Sequence, residues 1–303
     1  MIQNNLLIAL LAYIIDRVFG EFPIKHPIIL IGDIISFFEA KLYKKSVTRG
    51  ILLVLIVLAV ISLVSFAIVS YLKLLNPLFN ILISGFIASV FIAHKMLYDS
   101  VAEILYAENK KELLQMLVSR DTEELDESGI YKAAIETYAE NLNDGVIAPL
   151  FYLVLFGLPG IIIYKTINTM DSMIGYRDEK YEKFGKAAAR LDDFVNFIPS
   201  RITALLLMLL VKGKNIFAFY KDGSKHESPN AGHPITAMAY FLEVKLGGPT
   251  SYFGVIKEKA FFGEGREEIT ADDLRKMLLQ RKKIDLFIVG FLLLLVIITL
   301  YIP

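Results

Sequence analysis

Gly145-Val-Ile-Ala-Pro-Leu-Phe-Tyr-Leu-Val-Leu-Phe-Gly157-Leu-Pro159-Gly160-Ile-Ile-Ile-Tyr164 runs for 20 residues without a charge. Whether it crosses a membrane or turns back on itself decides the fold. At about 1.5 Å per residue, twenty helical residues reach across a hydrocarbon core of about 30 Å. Its middle, however, reads Gly157-Leu-Pro-Gly160, and two glycines around a proline interrupt a helix and make a turn. Arms of roughly ten residues are each too short to span. The expectation is a re-entrant or buried helical hairpin over 145–164. A crossing would put the flanking segments on opposite faces of the membrane, whereas a hairpin returns them to one face.

Those flanks carry the chemistry. Before the run stands Glu136-Thr-Tyr-Ala-Glu140-Asn141-Leu-Asn143-Asp144-Gly145. After it come Asn168-Thr-Met-Asp171-Ser172-Met-Ile-Gly175-Tyr176, then Ala189-Arg190-Leu-Asp192-Asp193-Phe-Val-Asn196, then Pro199-Ser-Arg201. Asn and Asp in such numbers cost helix propensity, so something other than folding wants them. Acid, carboxamide and Arg groups together are what a magnesium–phosphate site requires.

Ser128 is placed to N-cap a helix running to about Asn141. On that helix Glu136, Glu140 and Asp144 recur every four residues, where like charges repel. A solvated helix usually alternates sign, so this face reads either as a metal or substrate face or as a solvated one. Asn168, Asp171 and Ser172 share another face, or else cap a helix end. Arg190 and Asp193 fall together on a third, as substrate groups or as a simple ion pair. Pro199 suits a helix first turn, which would leave Arg201 near an N-terminus that attracts anions.

The rest of the chain reads as membrane protein. Of 303 residues, 55% are hydrophobic and 21% charged, and mean hydropathy is +0.54. The 32 basic and 32 acidic residues cancel, which speaks against a nucleic-acid partner. There is no cysteine and the four histidines are scattered, so disulfides, thiolate chemistry and a zinc centre are not expected. Spans are expected at about 6–19, 51–72 and 77–93, with a C-terminal transmembrane helix over 284–303. Lys/Arg counts place both termini outside and residues 20–49 and 94–283 in the cytoplasm. Ile202–Val211 is too short to cross and is interfacial or packed on the bundle. The domain reading is an N-terminal membrane region 1–98, a catalytic helical region 99–283 and the last helix. No strand alternation is expected anywhere. The fold class is an all-α integral membrane protein with about four transmembrane helices, a re-entrant or buried helical hairpin and a helical cytoplasmic region.

Loops add lesser signals. His26-Pro27 with Gly32 is an extended entry to a helix. Ser228-Pro-Asn230-Ala-Gly232-His233-Pro234 is a loop from which a helix runs to about Lys245, stopped by Gly247-Gly248-Pro249. Thr270 with Asp273 resembles a capping box opening a helix that runs through Lys283 into the last span.

Taken in order, Asp16-Arg17-x-x-Gly20, His26-Pro-Ile-Ile-Leu-Ile-Gly32, Ser119-Arg120-Asp121-Thr122, Glu136-Thr-x-Ala-Glu-Asn-x-x-Asp-Gly-x-Ile-Ala-Pro149, Tyr164-Lys165-x-x-Asn168-Thr-x-Asp-Ser-Met-x-Gly-Tyr176, Ala189-Arg-x-Asp-Asp193, Pro199-x-Arg201, Ser228-Pro-Asn230 and Leu246-Gly-Gly-Pro249 closely resemble the CobD/CbiB family. These are the membrane-bound adenosylcobinamide-phosphate synthases of cobalamin biosynthesis. The resemblance covers residue 6 to about 274. Gly20-Glu21-Phe22-Pro23 departs from the family's usual Gly-Asp-Pro, and the loop with Gly232-His233-Pro234 varies among relatives.

The resemblance implies a reaction in the cell membrane. A propionate carboxyl of adenosylcobyric acid is joined to the amine of (R)-1-aminopropan-2-ol or its O-phosphate. ATP hydrolysis drives the amide bond, chemically by way of an acyl phosphate. ATP and Mg²⁺ are the implied cofactors, with the corrinoid as substrate, and the lipid bilayer and other corrinoid-pathway membrane enzymes as candidate associates. Such a site needs a cation for ATP, cationic side chains for phosphate and a base for the ammonium proton. Glu136, Glu140, Asp144 and Asp171 are assigned to metal. Lys165, Asp192 and Asp193 are assigned to catalysis, with an aspartate as base. Arg190, Arg201, Asn168, Ser172, Asn141, Ser228, Asn230 and His26 are assigned to substrate or phosphate. Two other classes compete. One is an integral-membrane phosphotransferase using Mg-bound carboxylates, whose Asp-x₂-Asp-Gly-x₂-Ala-Arg string is absent. The other is a non-catalytic membrane scaffold or transporter, which would carry ionisable groups inside its spans.

Overall fold

A computed structural model describes residues 2–23, 25–252 and 254–301. The last two positions of the expected C-terminal span lie outside the described residues. In chain order the helices are α1 Ile2–Phe19, α2 Pro27–Leu42, α3 Val47–Leu72, α4 Pro77–Ser89, α5 His94–Glu103, α6 Lys110–Gln115, α7 Glu127–Leu142, α8 Ala148–Ile174, α9 Lys186–Met208, α10 Phe219–Gly223, α11 Gly232–Leu242, α12 Ala271–Leu278 and α13 Arg281–Tyr301. A π-helical turn, Asn143–Ile147, joins α7 to α8. Five helical segments are long and apolar enough to cross a membrane: Ile2–Phe19, Val47–Leu72, Pro77–Glu103, Glu127–Ile174 and Ala271–Tyr301. The chain is an all-α integral membrane protein.

Two of those segments are not straight rods. α4 stops at Ser89 and irregular turns separate it from α5, so its 13 residues reach only about 20 Å. Glu127–Ile174 contains the charged α7 and then the apolar run. At Gly157 the backbone takes φ 67° and ψ −157°, a region essentially reserved for glycine. The chain reverses there. The rings of Tyr152 and Tyr164 stack with centroids 5.2 Å apart, where a straight helix would hold them about 18 Å apart. A Cβ on Gly160 would collide with the Tyr152 carbonyl oxygen, so the second glycine permits the close approach of the arms. The expected hairpin is present, and α7 lies outside it.

The chain divides into two compact units. The first comprises Met1–Ala93, Ala148–Asn196 and Phe291–Pro303. Here α1 packs on α4 and on the hairpin of α8, and α2 and α3 also pack on α8. Residues 148–196 therefore group with the N-terminal helices, although chain order puts them within 99–283. Small residues let α1 approach: Ala9 and Ala12 are fully buried beside Tyr13. Asn5 Nδ2 donates to the Val154 carbonyl at 3.1 Å, satisfying an acceptor that the break at Gly157 strips of its helical partner. The opposite face of α3 and the part of α13 in this unit stay apolar and open, with Leu63 and Phe291 largely exposed, as lipid-facing residues are.

The second unit comprises His94–Ile147 and Phe197–Gly290. α7 is its centre, packed by α5, α6, α11 and α12. Asp126 rather than Ser128 caps α7, its carboxylate accepting from the Gly129 amide at 2.7 Å. Ser128 Oγ instead accepts from the Ile269 amide at 2.8 Å. Thr270 and Asp273 do form a capping box, but the helix it opens ends at Leu278 and α13 restarts at Arg281. α11 ends at Leu242 on Glu243 in the left-handed region, earlier than the expected Lys245. Beyond it, two antiparallel ribbons that no alternation announced pair β1 Leu246–Gly247 with β4 Phe261–Phe262, and β2 Thr250–Tyr252 with β3 Val255–Lys257. Strands of two or three residues are too short for a period to show.

Candidate functional site

The polar blocks resolve into two clusters, one in each unit. In the first unit the second arm of α8 and the start of α9 face each other. Lys165 Nζ donates to Asn168 Oδ1 at 3.1 Å, and Asn168 Nδ2 reaches Asp192 Oδ1 at 3.4 Å. Asp192 Oδ2 accepts from Asn196 Nδ2 at 3.0 Å, and Asn196 Oδ1 accepts from the Tyr164 hydroxyl at 2.9 Å. The network is thus Lys165–Asn168–Asp192–Asn196–Tyr164. Tyr164 and Asn196 are buried parts of it that carried no assigned role in the sequence. Their signals in the sequence are the i, i+4 spacing of Asn196 from Asp192 and the place of Tyr164 at the head of the Tyr164-Lys165-x-x-Asn168 motif.

Pro199 is not at a helix start but inside α9. Having no N–H, it leaves the Val195 carbonyl without a helical donor, and the Tyr152 hydroxyl fills that vacancy at 2.9 Å.

The other assigned residues of this unit have their own local settings. Ser172 Oγ turns back to the Asn168 carbonyl at 2.9 Å. Asp171 accepts the Gly175 amide through its backbone, and its carboxylate lies where a Gly175 Cβ would be. Arg190 is exposed. Loss of hydration pushes the Asp193 carboxyl above its ordinary range, and the cation that opposes this is Arg177, not Arg190. His26 caps α2, its Nδ1 accepting from the Ile28 amide at 3.2 Å.

In the second unit the three carboxylates of the acidic helix have different fates. Glu136 is buried and spends one oxygen on Arg120 Nη2 at 2.6 Å and the other on the Gly247 amide at 2.6 Å. Gly247 has φ 76°, so Glu136 pins a left-handed turn onto α7. Asp121 continues the clamp, accepting from Ser251 Oγ at 2.5 Å and the Gly254 amide at 2.8 Å. Arg120 and Asp121 belong to a motif read in the sequence without a role. Glu136 serves this clamp.

Among the described residues Glu140 makes no side-chain hydrogen bond or ion pair. It presents surface to solvent, yet the protein crowding it strips hydration, and repulsion from Asp144 adds to this. Arg120 opposes, Glu136 reinforces and Lys259 opposes, and the carboxyl is pushed up to about 7. Asp144 sits in the π turn, a device frequent at functional sites, with its Oδ1 accepting from Asn143 Nδ2 at 2.7 Å. Asn143 Oδ1 in turn accepts from Thr203 Oγ1 at 3.1 Å, which joins the π turn to the helix bearing Arg201. Asn141 bonds back to the Thr137 carbonyl at 2.9 Å.

Arg201 is held chiefly through one terminal nitrogen. Its Nη1 donates to the Phe197 carbonyl at 3.0 Å, Ser200 Oγ at 3.0 Å and Asn230 Oδ1 at 2.8 Å. The guanidinium lies 3.9 Å over the Phe197 ring. Nε is buried with no hydrogen-bond partner. Desolvation weakens the group's hold on its proton, and the Tyr220 hydroxyl partly offsets this. An Arg with one terminal nitrogen fully engaged and a buried Nε left without a partner among the described residues suits an oxyanion. Ser228 Oγ accepts from the Asn230 and Ala231 amides at 3.2 and 3.4 Å, shaping the loop that presents Asn230.

Among the described residues no three His, Asp or Glu side chains converge as a ready metal cage. Magnesium does not need one: it is typically held by one or two carboxylates together with substrate phosphates and waters. Glu140 and Asp144, hard oxygen donors that repel one another, fit that mode, while Glu136 is committed to Arg120 and the Gly247 turn.

The family model described as CobD/Cbib protein matches residues 9–280. A protein of Halalkalibacterium halodurans named "Cobalamin biosynthesis protein CobD" is 35% identical over 90% of this chain and 91% of its own length. Proteins of Pyrococcus furiosus and Methanococcus aeolicus, each named "Probable cobalamin biosynthesis protein CobD", are 44% identical over 80% of this chain and 85% of the relative, and 39% identical over 95% of both. No solved structure matches.

Proposed function

The chain belongs to the CobD/CbiB family of cobalamin biosynthesis proteins, and from that membership we propose that it is an ATP-dependent C–N ligase. It joins the propionate carboxyl of adenosylcobyric acid to the amine of (R)-1-aminopropan-2-ol or its O-phosphate. The observation that carries the reading is in the second unit. Two mutually repelling carboxylates, Glu140 and Asp144, connect through Asn143 and Thr203 to the helix of Arg201, whose Nε has no partner. Carboxylates crowded beside a half-buried cationic group are a charge pattern suited to a cation and an oxyanion together.

In this reading Glu140 and Asp144 hold Mg²⁺, which supplies charge neutralisation for transferring phosphate. Arg201, steadied by Asn230 and Ser200, orients a phosphoryl oxygen. We place residues 94–283 on the cytoplasmic side, where ATP is.

Two experiments test this. Purified protein in lipid is incubated with adenosylcobyric acid, Mg-ATP and either aminopropanol or its phosphate, and products are read by mass spectrometry. The expected product is the corresponding amide with one acceptor. Its absence with both acceptors overturns the ligase reading. For the sidedness, single cysteines at Ser128, Ser172 and Ser228, in a chain that has none, should react with an impermeant reagent only from inside. Labelling from outside at 128 and 228 removes the cytoplasmic assignment.

A further inference from the structure

Between α9 and α10 the chain reads Leu209-Leu-Val-Lys212-Gly-Lys214-Asn-Ile216-Phe217-Ala-Phe219-Tyr220-Lys221. Phe219 is 1% exposed, and its ring meets that of His233 edge-on at 5.6 Å. That anchor fixes the segment's outer side. There Leu209 is 55%, Ile216 39% and Phe217 64% exposed, while Tyr220 stacks inward on His233 at 5.1 Å. Gly213 turns the chain with φ 75° and nothing within 4 Å of a Cβ, so the bend projects into open space. Lys212, Lys214 and Lys221 are exposed around the apolar residues. Lys214 is paired with Glu264 at 2.9 Å, and Lys212 and Lys221 form no ion pair among the described residues.

We propose that segment 209–221 is a headgroup-level anchor that rests on an anionic lipid surface. Water is a poor neighbour for Leu, Ile and Phe fixed outward on a buried pivot. Phe at headgroup depth with exposed lysines around it is what an interfacial segment uses. The positive charge of the flanking lysines complements an anionic leaflet. The spans of the same chain already hold it at a bilayer, so this surface meets lipid at high effective concentration. A soluble partner would have no such advantage. The inference is independent of the ligase reading.

The test uses the full chain in lipid nanodiscs. A single Phe217→Cys carries an environment-sensitive fluorophore, with Leu63→Cys on α3 as the lipid reference and the exposed Glu123→Cys as the water reference. Quenching is measured with spin-labelled lipid and with aqueous iodide, in phosphatidylcholine discs with and without phosphatidylglycerol. The expected result at 217 is lipid quenching near the Leu63 level and protection from iodide, strengthened by phosphatidylglycerol. Lys212→Gln and Lys221→Gln should each shift the lipid-bound fraction by about fivefold in the anionic discs. Iodide access like that at 123 overturns the proposal. So does protection from both quenchers, which would mean a protein partner or a second copy. Lipid quenching equal in both compositions overturns the anionic assignment. Ile216→Cys repeats every arm should Phe217→Cys not fold.

Discussion

The two polar clusters use similar residues to opposite effect. In the first unit Lys165, Asn168, Asp192, Asn196 and Tyr164 answer one another in a chain of hydrogen bonds. Carboxamides sit between the charged groups and supply both donors and acceptors, so burial costs little. In the second unit Glu140 has no such partner, faces Asp144 and Glu136, and is pushed up to about 7. Arg201 keeps an unpartnered Nε. A satisfied network holds helices in register, whereas like charges crowded together are kept against the interest of folding and point to function.

That contrast is open to attack, most forcefully at the acidic pair. Glu140→Gln with Asp144→Asn should fold as the native chain does and lose about 10²-fold or more in amide formation. Near-native turnover would return this face to plain solvation. The fold on which both clusters depend is tested at Gly157→Ala. A Cβ there is strained by φ 67° and meets the Asn5 carboxamide, so a loss of about 1–3 kcal/mol is expected in thermal unfolding. No loss would mean that the reversal is not where it is placed.

Arg201→Lys should express and stay in the membrane but lose about tenfold in kcat/KM, because an ammonium cannot reproduce two-edge binding. The same change at exposed Arg190 is the companion, and only a kinetic loss with stability intact would give Arg190 a phosphate role. Tyr164→Phe should do the reverse. It leaves Asn196 Oδ1 unanswered, costing about 1–2 kcal/mol of stability with kcat kept. A kinetic loss without a stability loss would move the first network from architecture to catalysis.

The smallest effect is a pH slope. Between the ordinary carboxylate value of 4.5 and about 7, folded Glu140 keeps its proton while the unfolded chain has released it. Stability is therefore lost as pH rises through that window. Glu140→Gln lacks this slope, so its Tm should gain on the native chain from pH 4.5 to 7 and then run parallel. Solvent at the side chain screens the repulsion, and the gain should stay below about 1 kcal/mol. A gain at low pH instead would reverse the sign and remove the crowding argument.

Composition and local pattern determined the membrane class, the spans near 6–19 and 51–72, the C-terminal helix and the reversal inside 145–164. These follow from apolar run length and from Gly-x-Pro-Gly, which act on their own neighbours. The helix bearing Glu136, Glu140 and Asp144 was legible in the same way. What became of each carboxylate was not. Glu136 is claimed by Arg120 and by a glycine amide 111 positions away, and no periodicity encodes such a partner. Pro199 looked like a helix start because its usual cost in a helix interior was assumed. Here the Tyr152 hydroxyl meets the carbonyl it leaves open. Only tertiary structure could decide these cases, because a polar group's role depends on which distant donor or acceptor reaches it, while a helix or a turn depends on residues within a few positions.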